Sequence, residues 1–134
     1  MGYRSNLIVL IYPDIQNPSE EQPLYEQLKL LMGTTFKHMS DADGFGEYMT
    51  WMDSDHVLKF ELEDVKWYPS YRDVQMFEKM LAAFKGSGDD DEDIKGYCTE
   101  FIRIGEESDD VEEVHTGHNN HYYLSVRRTI DCNV

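Results

Sequence analysis

From Leu7 to Tyr12 the chain reads Leu-Ile-Val-Leu-Ile-Tyr, apolar at every position, and Pro13 follows. A strand with one wet face alternates polar and apolar residues, so this unbroken run predicts a central strand covered on both sides. After a turn-rich connection from Asp14 to Gln22, the residues Leu24, Leu28, Leu31 and Met32 recur at helical spacing toward Phe36. Pro23 is tolerated there only in the first turn, where its missing N–H has no partner to lose. The segment Lys37 to Gly46 is rich in Asp and Gly and predicts a loop.

A hairpin comes next. Its first arm runs from about Glu47 to Asp53, its turn is Asp53-Ser54-Asp55, and its second arm alternates Leu58, Phe60 and Leu62 with Lys59, Glu61 and Glu63. Beyond Trp67, Pro69 and Ser70 open a second helix whose stripe is Val74, Phe77, Leu81 and Phe84. Gly86 to Asp93 is a charged loop, Tyr97 to Ile104 a strand, and a second acidic stretch from Glu106 to Glu113 leads through a polar turn to a last strand near Tyr122 to Ile130.

The order strand, helix, strand, strand, helix, strand, strand predicts an α+β fold. In detail it is the split β-α-β antiparallel sheet of ferredoxin-like proteins with an added C-terminal strand, both helices on one face. Right-handed crossovers place the first strand in the middle and the fifth beside the fourth. A last hairpin centred on His115 would set Cys98 opposite Cys132. With 134 residues, a single domain spanning 1–134 is expected.

Charge changes the picture of what such a domain can bind. Against 12 Lys and Arg stand 27 Asp and Glu, a net charge of −15, which repels phosphate backbones and anionic lipid and argues against direct contact with nucleic acid or membrane. No apolar run approaches the roughly 20 residues of a membrane span, and the start lacks a signal-peptide pattern, so a cytoplasmic location is expected. Two cysteines without a CxxC arrangement make neither a disulfide scaffold nor a zinc site.

The acids are clustered. Asp89, Asp90, Asp91, Glu92 and Asp93 precede the fourth strand, and Glu106, Glu107, Asp109, Asp110, Glu112 and Glu113 follow it, with Lys95 and Arg103 the only cations between residues 89 and 113. A row of carboxylates of that density can occupy a groove built for duplex phosphates. The segment HTGHNNH spaces His115, His118 and His121 by three residues, but its Gly and Asn residues favour a turn that fixes no common metal centre. Arg103 and Arg127 offer an alternative anion-binding face, with Arg103 expected to point away from the helices, or else to pair with Glu100 or other local carboxylates. Carboxylate pairs such as Asp53 with Asp55 lack the apolar surround that tunes a catalytic dyad, and no GxSxG, P-loop, Rossmann or HExxH pattern is present. Among the aromatics, Trp67 reads as buried and Tyr71 as an exposed interface anchor.

Three blocks carry a resemblance. Gly2-Tyr3-Arg4-Ser5, Asp64-Val65-Lys66-Trp67-Tyr68 and Phe101-Ile102-Arg103-Ile104-Gly105-Glu106-Glu107 with Asp109-Asp110-Val111-Glu112-Glu113 resemble small accessory proteins of tailed bacteriophages. The resemblance implies action in the cytoplasm of an infected bacterium, in host takeover or defence evasion, and brings no catalytic residue with it. Together with the charge it yields the expectation of a cofactor-free, non-enzymatic protein that mimics nucleic acid and blocks a basic site on a host protein. The expected contacts are Glu106, Glu107, Asp109, Asp110, Glu112 and Glu113, then Asp89, Asp90 and Asp91, with Tyr71. A small-molecule or metal-binding protein using Arg103 and Arg127 or the histidine turn, and a structural or assembly accessory, are the alternatives.

Overall fold

The computed structural model describes residues 4–37, 48–66, 68, 70–85, 96–106, 110–121, 123 and 124. Within them the chain forms β1 (Arg4–Pro13), a one-turn 3-10 helix (Pro18–Glu20), α1 (Glu21–Gly33), β2 (Met49–Met52), β3 (Val57–Lys66), α2 (Arg72–Lys85), β4 (Tyr97–Gly105) and β5 (Val111–Thr116). The strands make one antiparallel sheet in the order β2-β3-β1-β4-β5. The α+β expectation is met at that level: five antiparallel strands and two helices.

β1 is central, as its apolar run requires, and its alternate residues feed two different layers. Leu7, Val9 and Ile11 face the helices, where Leu58, Phe60 and Leu62 of β3 and Phe101 of β4 join Leu28 and Met32 of α1 and Val74, Phe77, Met80, Leu81 and Phe84 of α2 in one buried cluster. Both helices therefore cover the same side. Edge-on aromatic contacts tie the layers together, Phe60 against Phe77 and Phe84 against Tyr97, with ring centroids 5.6 Å apart in each. Phe36, just beyond α1, closes the cluster against Phe84. Pro23 lies in the first turn of α1, where helical N–H groups have no internal acceptor, so the helix tolerates it.

A β-bulge resets the alternation of β3. Ser5 pairs with Val65 but Leu7 pairs with Leu62, so Glu63 and Asp64 together oppose Asn6. Asp64 has the left-handed φ of 54°, and its N–H is held by Asn6 Oδ1 at 2.7 Å while its carbonyl accepts from Arg4 Nη1 at 2.8 Å. The extra residue lets Leu62 and Val65, three apart, both reach the helix layer.

The C-terminal region departs from expectation. β4 pairs with Val111–Thr116 in the register Thr99 to Thr116, Phe101 to Val114 and Arg103 to Glu112. β4 and β5 are therefore joined between Gly105 and Asp110, not at His115, and residues 111–113 of the acidic stretch are strand. Val114 packs against the helix layer, which supplies the apolar contact a loop would lack. Tyr122, residues 125–134 and with them Arg127 and Cys132 lie outside the described residues, as does the charged segment 86–95.

After β5 the chain turns at Gly117 and runs back over the face that the helices leave open. Gly117 has φ of 101°, and a Cβ there would lie 2.5 Å from the Cys98 sulfur and 3.0 Å from its Cα, so both conformation and space demand glycine. Main-chain N–H groups then hold the crossing segment. His118 and Asn119 donate to the Asp14 carboxylate at 2.8 and 3.0 Å, His121 to the Tyr12 hydroxyl at 2.8 Å and Leu124 to Glu100 Oε1 at 2.8 Å. Leu124 packs on the second apolar layer of Leu10, Tyr12, Val57 and Cys98.

Candidate interaction surface

The expected acidic contacts do not form one row. Asp110 and Glu112 point to the helix side and close on Arg103, whose Nη2 donates to Asp110 Oδ1 at 2.8 Å and to Glu112 Oε1 at 2.7 Å, while Nη1 donates to the Ser5 hydroxyl at 2.9 Å. These bonds, that to Asp110 first, push the already basic guanidinium higher still. Glu113 faces the opposite side and binds His115 Nε2 at 2.9 Å. Glu106 accepts the Arg4 N–H at 2.9 Å. Glu107, Asp109, Asp89, Asp90 and Asp91 lie outside the described residues. Alternation along a strand disperses neighbouring carboxylates to two faces, which removes the phosphate-like spacing that a pair of loops would allow.

Arg103 also corrects the anion-face expectation. Its neighbour across β1 is Leu7, on the helix side, and Ile102 and Ile104 are the residues that point away. The strand parity is thus the reverse of the expected one. The guanidinium is nearly buried among carboxylates, and this satisfies it without a ligand.

The histidines diverge too. His115 lies between Glu100 and Glu113, His118 is at the Asp14 anchor, and His121 stacks on Tyr12 with centroids 5.4 Å apart. No cluster of three or more His, Cys, Asp or Glu side chains arranged to hold a metal occurs among the described residues. Burial pushes the Cys98 thiol up to about 12, far from the range of a reactive thiolate.

Glu100 is the residue that sequence reasoning undervalued. It is fully buried in the open face, where Tyr12 donates its hydroxyl at 2.6 Å, Leu124 its N–H, and His115 Nδ1 lies 3.3 Å away. Burial and the Glu100 hydrogen bond raise the Tyr12 hydroxyl well above the ordinary tyrosine value, keeping it a donor. A lone Glu inside the apolar stretch Tyr97 to Ile104 was the available signal, because a carboxylate survives in such a strand only with partners.

What the open face presents is a groove. A hollow of about 190 Å³ is floored by Ile8, Ile102, Ile104 and Leu124 and walled by Glu61 and Glu63. A second of about 270 Å³ lies across Leu124, over Leu10, Met52 and Val57, with Lys59 and Asp55 at its rim. A third, about 400 Å³, opens beyond Tyr123 among Tyr12, His121, Asp55 and Glu21. Ile8 and Leu124 are common to the first two, Asp55 and Tyr123 to the last two. Ile104 is 44% exposed and Tyr123 55%, so the floor offers apolar surface to solvent. Lys59 is committed to Glu61 at 3.0 Å. Tyr71 is exposed, as expected, and lies edge-on to Tyr68 at the start of α2. No helix among the described residues is long and apolar enough to cross a membrane. Searches of family models, of curated proteins and of solved structures find no match to the chain.

Proposed function

We propose that the chain is a non-enzymatic interaction protein whose open sheet face engages a basic, nucleic-acid-binding surface of a host protein. The observation that carries the reading is the groove: an apolar floor of Ile8, Ile102, Ile104 and Leu124 with the carboxylates of Glu61 and Glu63 on its wall and Glu113 on the neighbouring strand. An apolar centre with a charged rim is the anatomy of a protein interface, and a net charge of −15 selects cationic partners and speeds their approach. The acidic mimicry is thereby moved from Asp110 and Glu112, which close on Arg103, to the open-face carboxylates Glu63, Glu61 with its Lys59 partner, and Glu113 with its His115 partner. The three blocks that resemble phage accessory proteins support placing the partner in an infected bacterium. The sheet itself is read as ferredoxin-like with a strand added beyond β4, a reading supported by the central β1 between β3 and β4.

The test is capture from bacterial lysate at two salt concentrations, with duplex DNA as competitor. A partner released by DNA and by salt, and lost with Glu61→Gln, Glu63→Gln and Glu113→Gln combined, supports the reading. Capture that ignores both competitor and substitutions overturns it.

A further inference from the structure

The third hollow, at the end of the groove between the start of α1 and the β2–β3 turn, differs in chemistry from the other two. Its inner wall is aromatic: Tyr12, His121 and Tyr123 form a mutual cluster with ring centroids 5.2 to 5.4 Å apart. The Tyr12 hydroxyl is consumed internally, donating to Glu100 and accepting from His121 N–H, so that residue offers the hollow its ring and no polar group. The outer wall carries the carboxylates of Asp55 and Glu21, and Pro13 and Pro18 contribute lining without any backbone N–H. Gln16 and Ser54 add neutral polar groups, so the charge on the lining comes from the two carboxylates, which together with the ring faces favour a cation over an anion. The field is felt at Tyr123: burial first, then Asp55, Glu21 and Glu100, raise its hydroxyl above the ordinary value. Glu21 also holds His56, Nδ1 to Oε1 at 3.1 Å, which leaves exposed Asp55 as the principal charge facing the opening.

We propose that this hollow is a binding site for an organic cation, a guanidinium or ammonium group held against Tyr123 and His121 and charge-paired with Asp55. The site goes beyond the partner-binding reading, since it stands whether the cation is a side chain of a protein or a free amine. Its volume of about 400 Å³ admits the head group together with part of an aliphatic stem.

The experiment is a two-dimensional NMR titration of the full chain with N-acetyl-arginine amide in one arm, spermidine in a second and N-acetyl-glutamate amide in a third. Saturable shifts at His121, Tyr123 and Asp55 with a cation, absent with the glutamate derivative, are the expected result. Tighter binding of the arginine derivative identifies a protein side chain as the source, and tighter binding of spermidine a free amine. Asp55→Asn and, separately, Tyr123→Leu should each weaken the preferred cation about threefold, the loss of one exposed charge or ring contact. Asp55 is in an exposed turn, so its variant keeps the test valid if the Tyr123 variant fails to fold. Absence of saturable shifts, shifts spread evenly over remote carboxylates such as Glu26 and Asp64, or unchanged binding in Asp55→Asn overturns the site. Because the titration uses the chain alone and substitutes nothing at Glu61, Glu63 or Glu113, it can fail while lysate capture succeeds, and the reverse.

Discussion

Leu124 donates its backbone N–H to Oε1 of Glu100 at 2.8 Å, joining the chain that crosses the open face to a carboxylate fully buried beneath it. Tyr12 completes the joint, donating to Glu100 with the same hydroxyl that accepts from His121. Glu100→Ala removes the acceptor of two donors and leaves a void, and should cost about 3 kcal/mol in denaturant unfolding. In hydrogen exchange the Leu124 amide should lose protection while amides of β1 keep theirs. Equal loss across the sheet would show that Glu100 supports the core and not the crossing segment.

Gly117→Ala meets two obstacles at once, a positive φ and the Cys98 side chain. A loss of about 2 kcal/mol or more is expected from the melting curve. Adding Cys98→Ala relieves the contact with sulfur but not that with the Cys98 Cα, so recovery should be partial. Full recovery would remove the backbone conformation from the explanation.

Arg103→Lys keeps the charge and loses the fork that reaches Asp110, Glu112 and Ser5 together. The planar guanidinium has no substitute there, and a loss of about 1–2 kcal/mol is expected. A double-mutant cycle with Asp110→Asn should give a larger coupling than one with Glu112→Gln, whose side chain is the more exposed of the two.

Asp14 links acidity to the crossing segment. Burial opposes ionisation, but the His118 and Asn119 N–H groups and the Asn119 side chain outweigh it, holding the carboxyl below its ordinary value. A depressed folded value means stabilisation present above the unfolded value of about 3.9 and lost as pH falls through the folded one. The His118 and Asn119 amide shifts should therefore titrate with a midpoint below about 3.9, and Asp14→Asn should abolish that titration. A midpoint above that value would contradict the anchor.

Much of this architecture was legible beforehand. The unbroken run Leu7 to Tyr12 announced a central strand because only a two-sided cover tolerates it, and the alternation Leu58, Phe60, Leu62 fixed which side of β3 meets the helices. β5 was hidden for a physical reason. Asp110-Val111-Glu112-Glu113-Val114 spaces its valines by three, and its charges read as solvated until Arg103 is found opposite Glu112. Arg103 faces the helices, against the expectation, because the isoleucines that flank it, Ile102 and Ile104, floor the open side. The hollow at Tyr123 was invisible, since it joins residues from β1, the start of α1, the β2–β3 turn and the crossing segment.

Four of the bonds that fasten residues 118–124 use main-chain N–H donors on acceptors fixed elsewhere, at Asp14, Tyr12 and Glu100. At 118 and 121 these bonds depend on the main chain alone, proline excepted, whereas the side chains of Asn119 and Asn120 add bonds of their own and Leu124 adds packing. Exposed positions 118 and 121 can therefore change the character of this surface while the main-chain bonds beneath them stay in place.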